Sequence, residues 1–139
     1  CKIKKEYIVM PKFGKRSRDR LKGVNTKLVN VLNNTVKIYD IFVIEGLRSK
    51  ERQKELYDQG ATKVLHSNHM DGLAVDIAPY PYDPNDIKRF FYMAGIIKMV
   101  SKDLGIRIRW GGDWNEDQEF AGRDPKQKFN DYVHFEFKK

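Results

Sequence analysis

Two polar segments set into otherwise apolar strand-like stretches constrain this chain most strongly. Ser67-Asn68-His69-Met70-Asp71-Gly72-Leu73-Ala74-Val75-Asp76 and Asp131-Tyr132-Val133-His134 supply two imidazoles and a carboxylate suited to one zinc ion, with a second carboxylate beside them. Catalytic zinc usually takes three protein ligands from His, Asp or Glu and keeps one position for water, whereas structural zinc is usually closed by cysteine-rich sets. The chain has a single cysteine, Cys1, and three histidines, His66, His69 and His134. That inventory excludes a cysteine-closed site and favours an open one built on imidazoles and carboxylates.

After Gly72, the run Leu73 to Ala78 reads as a short strand ended by Pro79. Strand side chains alternate, so Asp76 shares a face with Ala74 while Val75 and Ile77 point the other way. Gly72 fits the turn between His69 and that strand, because glycine tolerates positive φ. Tyr132 to Phe137 alternates again, with Val133, Phe135 and Phe137 on one face and Tyr132, His134 and Glu136 on the other. A regular strand through Asp131 and His134 would send their side chains to opposite faces. Glu136 therefore has the right parity for the second carboxylate, and Asp131 works only from a turn preceding the strand. On the residues alone the two nearly tie.

The remaining pattern predicts helices over about Ser17–Asn33, Ser49–Gln59 and Pro84–Leu104, and strands over about Ile38–Gly46, around Ala74, near Ile106 and near Val133. Ser17 and Ser49 are candidate N-caps, Gly60 and Gly105 candidate stops, and Pro84 suits a first helical turn. This is an α+β fold, a small antiparallel sheet with flanking helices. At 139 residues and 40% hydrophobic composition, one domain over residues 1–139 is expected. The polar stretch Asn115–Asn130, with Gly122 and Pro125, reads as a surface loop that can shape access to Asp131. No apolar run approaches the roughly 20 residues of a membrane helix, and the first residues lack the apolar stretch of an export signal. The net charge of +8 implies attraction to polyanions. Basic residues cluster at Lys12, Lys15, Arg16, Arg18, Arg20 and Lys22 and at Lys126, Lys128, Lys138 and Lys139, with no recognisable nucleic-acid module. A solvated basic face is the expected reading, without specific nucleic-acid binding.

The pattern Ser67-x-His69-x-x-Gly72-x-Ala74-x-Asp76 followed by Asp131-x-x-His134 resembles the signature of the LAS metallopeptidases. That family comprises zinc D-alanyl-D-alanine carboxypeptidases, D-Ala-D-Ala dipeptidases and phage L-alanyl-D-glutamate endopeptidases. Phe13-Gly14-Lys15, Gly46-Leu47-Arg48-Ser49 and Arg109-Trp110-Gly111-Gly112-Asp113-Trp114 extend the resemblance over nearly the whole chain. It implies the LAS/hedgehog-type fold, with zinc bound by His69, Asp76 and His134, and Asp131 as general base. It also implies that Arg48 stabilises charge near the zinc and that Ser67 binds polar groups of the substrate. Many members carry Glu at the base position, and an aspartate there resembles the phage endopeptidase branch. His66 falls outside the pattern and reads as a loop histidine; Trp114 reads as core packing.

The resemblance thus implies a zinc-dependent peptidoglycan peptidase of the phage endolysin type. It would cut the L-Ala-D-Glu bond of stem peptides as a monomer, be made in the host cytoplasm, and act on the wall once the membrane is breached. The enzymatic alternative is a zinc D,D-carboxypeptidase that trims terminal D-Ala. The alternative of another class is a non-catalytic zinc-containing binding domain on the same fold, and a basic nucleic-acid-binding protein is a weaker third.

Overall fold

A computed structural model describes residues 11–118 and 130–139. Cys1, Gly122, Pro125, Lys126, Lys128 and most of the expected surface loop lie outside the described residues.

The elements in order are α1 (Lys15–Arg20), α2 (Thr26–Val36), β1 (Ile41–Glu45), α3 (Lys50–Asp58), β2 (Ala74–Pro79), α4 (Ile87–Asp103), β3 (Arg107–Gly111) and β4 (Asp131–Lys138). The four strands form one sheet in the order β1-β2-β4-β3, every pair antiparallel. This is the α+β arrangement that the alternating patterns predict.

The first expected helix, Ser17–Asn33, is instead two. Gly23 takes φ +82°, and the Asn25 side chain accepts the Lys27 and Leu28 N–H groups, capping a new helix at Thr26. Ser17 is therefore no N-cap: it lies inside α1, buried, and its Oγ accepts the Val43 N–H at 3.1 Å. The helix expected from Pro84 is α4, which begins at Ile87 after a turn over Pro84 and Asn85. Ser49 does cap α3, its Oγ accepting the Arg52 N–H at 3.0 Å.

Leu28, Val31, Leu32 and Val36 of α2 recur at helical spacing and pack with Phe90, Met93, Ala94, Ile97 and Val100 of α4. Both helices cover the sheet face that carries Val43, Val75, Ile77, Ile108, Trp110 and Phe135, all buried. Cross-strand partners share a face. The pairings Asp76 with His134, Ala74 with Glu136 and Arg109 with Glu136 therefore place these polar groups together on the opposite face. One face of the sheet builds the core, and the other presents the chemistry.

Two glycines let α1 and the turn after it pack closely against the loops that follow β1 and precede β2. Gly72 adopts φ +71°, its carbonyl accepts the Asn25 N–H at 2.8 Å, and a Cβ there would collide with the Gly23 carbonyl oxygen. A Cβ on Gly46 would collide with the Arg20 carbonyl oxygen. Gly72→Ala adds left-handed strain to this collision and is expected to cost about 2 kcal/mol of stability. A denaturant titration measures it, and an unshifted midpoint would contradict the packing described.

Candidate metal centre

The antiparallel pairing of β2 and β4 sets Asp76 directly opposite His134. His69 reaches the same place from the loop before β2. There the Ser67 Oγ accepts the His69 N–H at 3.2 Å, and the His69 carbonyl accepts the Arg48 N–H at 2.9 Å. One ligand atom from each of His69, Asp76 and His134 lies within 4.8 Å of the other two. Asp76 Oδ1 is 3.3 Å from His69 Nε2 and 3.5 Å from His134 Nδ1.

The far side of each ring decides what the near side offers. His69 Nδ1 lies 3.1 Å from the Gly46 carbonyl oxygen, and His134 Nε2 lies 2.9 Å from Glu136 Oε1. Carbonyl and carboxylate oxygens only accept, so those two nitrogens carry protons. In the neutral rings the lone pairs are then on His69 Nε2 and His134 Nδ1, both turned toward Asp76. Asp76 Oδ1 is itself buried and makes no hydrogen bond. Two imidazole nitrogens and an unsatisfied carboxylate oxygen, with outer partners fixing the ring tautomers, form a donor set that fits a divalent metal ion.

Charge balance supports the same reading. Burial raises the Asp76 carboxyl, but the His134 and His69 imidazoles beside it outweigh that and hold the group well below the usual carboxylate range. Burial lowers His134, yet the adjacent Asp76 carboxylate and the hydrogen bond to Glu136 push it up to about 9. Without a metal, a proton on His134 compensates the carboxylates, and a bound cation would replace it. The raised value means that His134 stabilises the metal-free fold fully below its unfolded value of 6.5 and loses that contribution as pH rises through about 9. The depressed Asp76 contributes above its ordinary 3.8 and is lost toward acid. Chelator-treated protein is therefore expected to melt progressively lower between pH 7 and 10, measured by calorimetry. A flat profile over that interval would contradict the assignment.

Asp131 is the first residue of β4 and does not precede the strand, contrary to the condition that regular parity demands. Trp110 of β3 pairs with Phe135, and the next residue, Gly111, pairs with Asp131, so one step on β3 spans four on β4. This bulge breaks the alternation and removes the parity objection to Asp131. The carboxyl is raised by burial first and by the Asp76 charge second, against opposing effects of His134 and His69. Asp131 thus sits in the electrostatic field of the converging three.

The other expected residues are placed as follows. Arg48 binds Glu45 through Nε at 2.7 Å and Nη2 at 3.0 Å, and Gln53 through Nη1 at 2.9 Å. The Ser67 hydroxyl braces the His69 backbone. His66 pairs with Asp71 at 2.7 Å on the exposed surface. Trp114 is not core: it is half-buried, its ring 5.2 Å from that of His134, with the Arg109 guanidinium 5.3 Å over it. Glu136, the rival to Asp131, stands behind His134. Asn68 and Arg109, which hold Glu136, were not singled out as site residues by the sequence, although Arg109 opens the Arg109–Trp114 segment.

Comparison with known proteins follows the same line. The family profile described as phage L-alanyl-D-glutamate peptidase matches residues 9–138. The L-alanyl-D-glutamate peptidase of Escherichia phage T5 is 30% identical over 117 residues, covering 78% of this chain and 85% of that protein. Peptidoglycan L-alanyl-D-glutamate endopeptidase CwlK of Bacillus subtilis (strain 168) is 31% identical over 116 residues, which cover 70% of this chain and 60% of the relative. Among solved structures, the Serratia marcescens L-Ala D-Glu endopeptidase ChiX superposes with a TM-score of 0.75 at 28% identity, covering 96% of this chain and 94% of the other. The vancomycin-resistance D,D-dipeptidase VanXYg, at 22% identity and a TM-score of 0.53 over 82% of this chain and 50% of that one, shares the fold.

Proposed function

The chain belongs to the phage L-alanyl-D-glutamate peptidase family, and from that membership we propose that it hydrolyses the L-Ala-D-Glu bond of peptidoglycan stem peptides. The observation that carries this reading is a family match that runs from residue 9 to residue 138 and includes the three residues whose donor atoms converge.

His69 Nε2, Asp76 Oδ1 and His134 Nδ1 would hold a zinc ion, which when bound supplies Lewis acidity and brings the pKa of a water toward neutrality. Asp131 serves as the general base. Burial and the neighbouring Asp76 charge bias its carboxyl toward taking a proton, which it receives from the attacking water and returns to the leaving D-Glu amine. Arg48 is assigned to the negative charge that develops on the cleaved carbonyl. Glu45 and Gln53 fix its guanidinium, as a preorganised donor requires. Ser67 accepts the His69 N–H and keeps its own proton to donate to a polar group of the substrate.

On this reading the protein is an endolysin that works as a monomer on the cell wall after the membrane is breached, and its positive charge favours approach to an anionic envelope. Among the described residues no helix is long and apolar enough to cross a membrane. Incubating the zinc-loaded protein with purified peptidoglycan and identifying new termini by mass spectrometry tests the proposal. New D-Glu N-termini are expected. Free D-Ala without them would favour a D,D-carboxypeptidase, and absence of any cleavage would favour a binding domain.

A further inference from the structure

Glu136 is 3% exposed, and both its oxygens are engaged. Oε1 faces His134 Nε2 at 2.9 Å, while Oε2 accepts from Arg109 Nη2 at 2.8 Å and from Asn68 Nδ2 at 3.1 Å. Arg109 also lies over the Trp114 ring, and that ring lies against His134. The strand register explains the assembly: Glu136 is two residues from His134 on β4 and directly opposite Arg109 on β3, so all three side chains emerge on the polar face.

Resting on the metal reading above, we propose that Glu136 is a positioning residue that sets the tautomer of His134. It holds the proton on Nε2, so that the Nδ1 lone pair is the one presented beside Asp76. Arg109 and Asn68 set the direction of Glu136 in turn. They place two donors on Oε2, so only an oxygen can stand there, and Oε1 is left to face the imidazole. A buried ion pair that served packing alone would be indifferent to which atom faced His134. This one is not, because an acceptor at that point and a donor at that point select opposite tautomers.

The isosteric variant Glu136→Gln makes the difference measurable. Arg109 and Asn68 would claim the amide oxygen, turning the NH2 group toward His134 Nε2. The ring would then have to accept at Nε2 and carry its proton on Nδ1, where no metal ion could bind. Glu136→Ala removes the same charge but leaves the ring free to choose.

Zinc affinity measured by competition with a chromophoric chelator should therefore fall in the order wild type, Glu136→Ala, Glu136→Gln. The glutamine variant is expected to lose about 10–100-fold, while circular dichroism reports a folded chain. Equal losses in the two variants would mean that only charge matters and would overturn the proposal, as would wild-type affinity in Glu136→Gln. If Glu136→Ala does not fold, the imidazole Nε2–H resonance decides. It should be present and slowly exchanging in the zinc-loaded wild type and missing in Glu136→Gln, and its persistence there would overturn the proposal. The two readings fail separately. A wild-type protein that binds no zinc at these residues sinks the metal assignment and the positioning role together. Zinc binding without peptide cleavage sinks only the proposed reaction, and an unaffected Glu136→Gln sinks only the positioning role.

Discussion

Asp131→Ala is expected to abolish measurable turnover of a stem peptide while leaving the zinc content near that of the wild type. A general base contributes about 10²–10⁴-fold to rate, and Asp131 is not among the three residues whose donor atoms converge. Its removal takes away the proton acceptor without dismantling the donor set. Glu136 cannot substitute as it stands, because one oxygen is committed to His134 and the other to Arg109 and Asn68. Steady-state kinetics and elemental analysis on the same preparation check both halves. Wild-type rates in a zinc-loaded Asp131→Ala protein would remove Asp131 from the mechanism, and loss of zinc along with activity would make it a ligand.

His134→Ala should have the larger effect, losing the metal and the activity together. It deletes one of two imidazole donors and strips Glu136 Oε1 and Asp76 Oδ1 of the group that faces each. Two negative charges are then left close to a site with one imidazole, which is unfavourable in buried surroundings. The ladder between β2 and β4 is held by backbone bonds, so the sheet is expected to persist. Circular dichroism should therefore report a folded chain that no longer retains zinc through dialysis. Stoichiometric zinc in folded His134→Ala would contradict the assignment of His134.

Much of this arrangement is legible in the sequence because it rests on period-two alternation. Leu73 to Ala78 and Tyr132 to Phe137 each read as separating a polar face from an apolar one, and the sheet obeys both patterns where the ladder is regular, pairing Asp76 with His134; Tyr132, which alternation assigns to the polar face, instead packs beside the bulge against Phe90, Phe91 and Trp110 of the core. Alternation fails where regularity fails. The bulge between Asp131 and Phe135 depends on how β3 meets β4, a relation between segments some twenty residues apart that local parity does not encode. The break between α1 and α2 was written locally in Gly23 and Asn25, but the apolar spacing of Leu21, Val24, Leu28 and Val31 runs through it and conceals it. Trp114 is ambiguous in isolation, because an indole suits a core as well as a cleft wall. Only its placement against Arg109 and His134 decides. Glu136 was visible by parity as a residue of the polar face. Its role depends on Arg109 and Asn68, from β3 and from the loop before β2, which no spacing along the chain brings together.

Titrating chelator-stripped protein with zinc while following L-Ala-D-Glu hydrolysis is the most direct test of the account. Activity should be absent at the start, rise in proportion to added zinc, and level off at one equivalent per chain. Hydrolysis that persists in the stripped protein, or zinc binding at one equivalent with no hydrolysis, would contradict the reading of His69, Asp76 and His134 as the centre of a metallopeptidase.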